Sequence, residues 1–372
     1  MDTPFFNPKL HGRRFEDHSI PVELLEDFNL YEELLFKVAK WVYYEQHDKM
    51  KVPKGFGHGV SLKLVAVSEG SAIANIVLAA TSFMVGDLDT FPIFETARNK
   101  IEEVIDRADK GEEFTDILPP EFLTYFNKIG RRLHDDESIS FSNNTTRPAR
   151  LSNRSRKTLV LSAPNADNVS VATSFRGKVS SFDKAEKSCT VISPQGEKVL
   201  IKFGNDYSDI FLNAFSNYES GQKVLVRGIG QFNKSDKLTS MEVDSVTFLD
   251  AMDVPSRLDE FMKYKVGWFN GEGEAFNEAG ITWLSTMFDE YFQAGLLLPY
   301  TFPTPNGEIQ FEWKKQDSPH DLTAYVNLQK KKTYVNYQNM KNDDDFLDLE
   351  IDLDQEKGWL QLMNLVSKYF KA

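Results

Sequence analysis

Cysteine occurs once in 372 residues, which excludes a disulfide framework and any thiolate metal cluster. Cys189 itself lies in an apolar run and reads as a small hydrophobe rather than a nucleophile. Long hydrophobic runs are also missing. No stretch approaches the roughly 18 apolar residues of a spanning helix, and the opening Met1-Asp2-Thr3-Pro4 carries no basic and apolar signal region. The expectation is a cytoplasmic chain without membrane contact. Positive charge is scarce as well: 43 Lys and Arg stand against 56 Asp and Glu, a net charge of −13. Strong general affinity for DNA or RNA draws on neutralised phosphates, so this balance leaves room only for local basic patches. The six histidines, His11, His18, His47, His58, His134 and His320, are scattered. No nucleophile elbow, Walker loop, dinucleotide fingerprint or paired Cys/His spacing occurs, so no catalytic residue, cofactor or metal ligand is assigned.

What is there is ordinary globular material, 41% hydrophobic and 27% charged, in a chain long enough for two or three domains. The reading is an α+β multidomain protein. An N-terminal α+β domain covers 1–142, a basic linker or edge strand 143–172, a five-stranded β-barrel 173–250, and a C-terminal antiparallel sheet with helices on one face 255–372.

The barrel organises the rest. Phe175 to Phe182 and Ser188 to Ile192 form a hairpin about the polar turn Asp183-Lys184-Ala185-Glu186, and Val199, Ile201 and Phe203 alternate as a third strand. Asp206 to Phe215 shows helical spacing, and Val224 to Gly230 and Ser240 to Phe248 complete the set. The order βββαββ is that of an oligonucleotide/oligosaccharide-binding (OB) barrel, with an SH3-like barrel as the alternative. Barrels of the first kind bind nucleic acid on strands two and three. Here those strands offer Lys198 and Lys202 but no outward aromatic.

Before the barrel, apolar residues at i, i+3, i+4 spacing predict a helix from Leu24 to Gln46, then a hairpin over 60–80 turning at Glu69-Gly70-Ser71. Helices over Ile93 to Ala108 and from Pro119-Pro120 to Leu133 follow. Asn143 to Lys157 holds Arg147, Arg150, Arg154, Arg156 and Lys157 without one acid. It is either a solvated linker or edge strand, or a basic arm for phosphate or an acidic partner. Leu159-Val160-Leu161 is expected to pair as a strand.

Beyond Pro255 the pattern predicts helices over Ser256 to Lys265 and Ile281 to Leu298. Strands follow over Glu308 to Lys314, Leu322 to Leu328, Lys332 to Tyr337 and Asp348 to Asp354, and a helix from Gly358 to Phe370 closes the chain. Their alternation puts Glu308, Glu312, Asp348, Glu350 and Asp352 on one charged face. Glu312-Trp313-Lys314 matches the E-x-K portion of a Mg²⁺-dependent nuclease core, although the aspartate on a preceding strand and the mixed sheet of such cores are not evident. The acids, with Asp343-Asp344-Asp345, could otherwise ligate metal, mimic a phosphate backbone or simply be solvated.

Three stretches together carry a resemblance: Arg14-Phe15-Glu16-Asp17-His18-Ser19-Ile20-Pro21, the barrel pieces Phe175-Arg176-Gly177-Lys178-Val179 and Val224-Leu225-Val226-Arg227-Gly228-Ile229-Gly230, and Pro303 to Trp313. The chain resembles a group of uncharacterised bacterial proteins with a central OB/SH3-like barrel. That resemblance implies a place in toxin–antitoxin or phage-defence loci as a neutralising or sensing component, and carries over no active residue. Three functions are therefore expected in order: a non-enzymatic adaptor that binds a protein, an antitoxin for a basic toxin encoded nearby, through Glu308, Glu312, Asp348, Glu350 and Asp352; a nucleic-acid-binding protein using Arg147, Arg150, Arg154, Arg156, Lys198 and Lys202; and the Mg²⁺ nuclease, in which Glu312 holds the ion.

Overall fold

A computed structural model describes the chain except residues 1–4, 17, 49–50, 69–71, 87, 143–146, 294, 317 and 371–372. Asp17, the turn Glu69-Gly70-Ser71 and the first residues of the basic segment, Asn143 to Thr146, thus lie outside the described residues. The fold is mixed α and β with several sheets. The chain divides into two compact units, Met1–Thr173 with Arg227–Glu242, and Ser174–Val226 with Val243–Ala372.

The first unit contains β1 (Lys9–His11), α1 (Leu25–Gln46), β2 (Val60–Ser68), β3 (Ile73–Ala80), the short pair β4 (Met84–Val85) and β5 (Leu88–Asp89), α2 (Phe91–Lys110), β6 (Ser138–Ser140), β7 (Arg150–Ser152) and α3 (Asn153–Leu161). Its sheet runs β2-β3-β1-β6-β7. The apolar stripe of α1, with Leu34, Leu35, Val38 and Ala39 fully buried, meets Phe94, Ala97 and Ile101 of α2 and Ile76 of β3 in one core.

In this unit two elements differ from the pattern-based reading. After Pro119 the chain makes a 3₁₀ run, Pro120–Asn127, in place of a helix reaching Leu133. Gly130 stops it in the left-handed region at φ 75°, with its amide held by the carboxylate of Asp27. Leu159, Val160 and Leu161 belong to α3 rather than to a strand. The deciding signal is local: Ser152 caps the helix by accepting from the Ser155 amide, and the Ser155 hydroxyl reciprocates at the Ser152 amide.

A second sheet is a five-stranded ring of β8 (Asn168–Asp183), β9 (Ser188–Ile192), β10 (Lys198–Lys202), β11 (Val224–Asn233) and β12 (Leu238–Phe248), with α4 (Ser208–Ser216) after the third strand. Its strands close in the order β10-β12-β11-β8-β9. Val179, Val191, Val199 and Ile201 fill the interior, and Phe182, Phe203 and Phe211 stack in line at its α4 end. Gly177 is required there. A side chain at that position would stand 2.2 Å from the Ile192 carbonyl oxygen of β9.

The rest of the chain, all of it in the second unit, comprises α5 (Val254–Phe261), α6 (Glu278–Tyr291), β13 (Tyr300–Pro303), β14 (Ile309–Lys314), β15 (His320–Asn327), β16 (Lys332–Asn339), β17 (Asn342–Asp352) and α7 (Glu356–Tyr369). α6 ends seven residues before the expected Leu298, because Phe292 turns extended and Gly295 takes a left-handed φ of 85°. The five strands form an antiparallel meander in sequence order. Ile309, Phe311, Trp313, Leu322, Ala324, Val326 and Val335 point to one side. There Leu258, Phe261, Leu284, Phe288, Trp359 and Leu362 from α5, α6 and α7 bury them.

Candidate functional site: the open face of the C-terminal sheet

Because the three helices cover one side of β13–β17, alternation leaves the other side open to solvent. The ladder register fixes what lies across it. One row reads Phe302, Gln310, Tyr325, Tyr334, Glu350. The next reads Tyr300, Glu312, Thr323, Asn336, Asp348. Lys332 and Asp352 are opposed beyond the first row, and Lys314 and Asp321 beyond the second. With strands spaced ~4.8 Å apart, each row spans about 19 Å.

The five acids singled out from the sequence, Glu308, Glu312, Asp348, Glu350 and Asp352, are thus brought together on this face. Counting Asp321, six carboxylates face two lysines, an excess of four negative charges. Most are held in place. Lys332 lies 2.7 Å from Glu350 and pulls that carboxyl below its ordinary range. Asn336 donates to Asp348 at 2.7 Å, Asn327 and Asn306 both donate to Glu308 at 3.0 Å, and Gln310 donates to Glu312. Amide donors fix the carboxylates without neutralising them, so the face keeps its charge and its side chains are already ordered.

Sequence reasoning missed the aromatic half of the site. Tyr300, Phe302, Tyr325 and Tyr334 are 49, 41, 36 and 48% exposed among these acids, and Phe346 of β17 is 64% exposed. A readable signal existed: Leu322, Ala324 and Val326 point inward, so Tyr325 must point out, and Thr333, Val335 and Tyr337 place Tyr334 likewise. The open face therefore carries part-exposed rings interleaved with carboxylates.

The nuclease geometry is not assembled here. Glu312 and Lys314 share the open face with Trp313 buried between them, but Lys314 pairs with Asp321 at 3.3 Å and the sheet is antiparallel throughout. Among the described residues, three metal-capable side chains converge at His134, Asp136 and Glu137. There the guanidinium of Arg14 already occupies Glu137, through Nε at 2.6 Å and Nη2 at 2.8 Å, and Arg13 reaches Asp136 at 3.4 Å. Arg14 also reaches Glu23 at 2.6 Å and the Arg132 carbonyl at 2.9 Å. A bidentate cation in the place of a metal makes this a structural clamp for the first unit.

The basic segment disperses. Arg147 lies 3.8 Å from Glu103 and 3.9 Å from Asp106, and Arg150 donates to Ser138 at 2.9 Å from edge strand β7. Arg154 is exposed on α3. Arg156 is wholly buried, with Nη1 donating to the Phe126 carbonyl at 3.3 Å and with Nε and Nη2 lacking an acceptor among the described residues. It offers nothing to a polyanion. Burial pushes the carboxyl of nearby Asp27 up to about 7, against the opposing pull of the Gly130 amide, Arg131 and Arg156. On the ring, Lys198, Leu200 and Lys202 point outward from β10.

Comparison with protein-family models and with curated proteins finds no match to this chain.

Proposed function

We propose that this chain is a non-enzymatic protein-binding component whose open C-terminal sheet face receives a basic partner. The observation that carries the reading is the coincidence on one open face of four part-exposed rings with an excess of four carboxylates. Rings supply the buried anchors of an interface, and oriented carboxylates supply steering and register toward Lys and Arg. The resemblance to bacterial toxin–antitoxin and phage-defence proteins makes a basic toxin encoded alongside the natural candidate, and cytoplasmic neutralisation the role.

In this reading the chain is multidomain. The ring is an OB-type barrel, since numbering its strands one to five gives the closed order 1-2-3-5-4 with a helix after the third. Nucleic-acid binding on the barrel rests on Lys198 and Lys202, with no aromatic beside them on β10, and is the weaker reading.

Co-expression of the chain with its neighbouring gene tests the proposal. A complex should form whose affinity falls with salt and with loss of Tyr334 or Glu350. A chain that is always recovered alone would defeat it.

A further inference from the structure

The second unit holds a cleft of about 300 Å³ that the sheet-face reading does not use. Its walls include Lys178 of β8, Ser193 just after β9, Tyr218 and Lys223 on the segment after α4, Glu260 of α5 and Lys263 just past its end. In a chain with net charge −13, this cleft gathers three lysines against one acid.

That acid is spoken for. Glu260 takes Lys223 at 2.9 Å and also a bond from Arg257. Burial acts to raise its carboxyl, but the two cations together hold it below the ordinary range, so it stays ionised and paired. Among the described residues, Lys178 and Lys263 have no carboxylate within ion-pair distance. Lys178 instead rests its ammonium 5.5 Å from the centre of the Tyr218 ring, a placement that fixes the side chain without neutralising it. The Ser193 hydroxyl accepts from the Glu197 amide at 3.1 Å, which leaves its own proton to donate.

Two unneutralised ammonium groups in a concave site call for an anion with several acceptor oxygens. The acidic surface elsewhere does not forbid one, because its field is screened beyond a Debye length of about 8 Å at physiological ionic strength, whereas the lysines act at contact. We propose that this cleft binds a small phosphate-bearing anion, of the size of a pyrophosphate or a nucleoside diphosphate. The volume lies at the small end of ligand pockets, roughly 300–1,000 Å³, which excludes a polynucleotide from the cleft itself.

Isothermal titration of the full chain with inorganic pyrophosphate and with ADP, and with adenosine as the uncharged control, tests this. Both phosphates should bind saturably, more weakly as salt rises, and adenosine should give no signal. Equal affinities identify the phosphate as the recognised group, and tighter ADP adds a contact to the nucleoside; either outcome supports the site. Lys178→Ala and Lys263→Ala should each weaken binding about tenfold, equivalent to 1.4 kcal/mol. Lys178→Arg should retain it, and Lys184→Ala in the β8–β9 turn should leave it unchanged. Matched thermal unfolding of the variants keeps misfolding out of the comparison. No saturable binding of either phosphate, or an equal loss in Lys184→Ala, overturns the proposal.

Discussion

Replacing Asp27 by Asn tests how the first unit buries charge. Asp27 is 5% exposed on α1, and its Oδ2 accepts the Gly130 amide at 3.1 Å. Asparagine keeps an oxygen for that bond and removes the ionisation. Burial raises the carboxyl from 3.8 to about 7, so between those values the folded chain binds a proton that the unfolded chain has lost. Stability then falls as pH rises through the window. At 1.36 kcal/mol per pH unit, the full cost is about 4 kcal/mol, reached near pH 7 and constant above it. This is a large share of a total stability of roughly 5–15 kcal/mol. Urea unfolding of both proteins at intervals from about pH 4 to 8 should show Asp27→Asn gaining on the wild type through the window.

Loss of a carboxylate near Arg156 shifts the level of the difference but not its slope, because the guanidinium stays protonated throughout. Glu102, which burial also raises to about 7, titrates in both proteins and cancels. A difference independent of pH would refute the reasoning. It would mean that Asp27 remains an ordinary ionised carboxylate, held by Arg156 and Arg131.

Other consequences are as direct. Arg14→Ala leaves Glu137, whose side chain is 1% exposed, without its cation and should cost about 3–5 kcal/mol in urea unfolding. Zn²⁺ should raise the melting temperature of that variant more than that of the wild type, because the guanidinium no longer blocks the carboxylate. Trp359→Ala removes a fully buried ring whose Nε1 donates to the Leu353 carbonyl at 2.8 Å, and should cost about 3–5 kcal/mol by denaturant titration. Burial pushes the Cys189 thiol up to about 12, so a maleimide at about pH 8 should label it only after unfolding.

How much was legible follows from where the information sits. Ile309, Phe311 and Trp313 alternate with polar residues because a half-buried strand has period two, and the strand can be read from that alone. The same rule turns Tyr325 and Tyr334 outward, since their neighbours along each strand are core. α3 was hidden because three apolar residues carry no period, while the capping pair Ser152 and Ser155 looked like linker composition. Arg156 could not be placed. Its burial depends on Phe126, 30 residues earlier, and a cation in a run of cations reads as surface. The Arg14 to Glu137 clamp spans 123 residues and has no local signature at all.

The central claim is that the open face of β13–β17, rather than any other surface, takes the partner. The direct measurement is the dissociation constant of the proposed complex with the product of the neighbouring gene, for wild type, Tyr334→Ala and Lys198→Ala. Truncating an anchor ring should cost about 2 kcal/mol or more, roughly a thirtyfold loss in affinity, and Lys198→Ala on the ring should change nothing. Unchanged affinity in Tyr334→Ala, with loss in Lys198→Ala, would contradict the account.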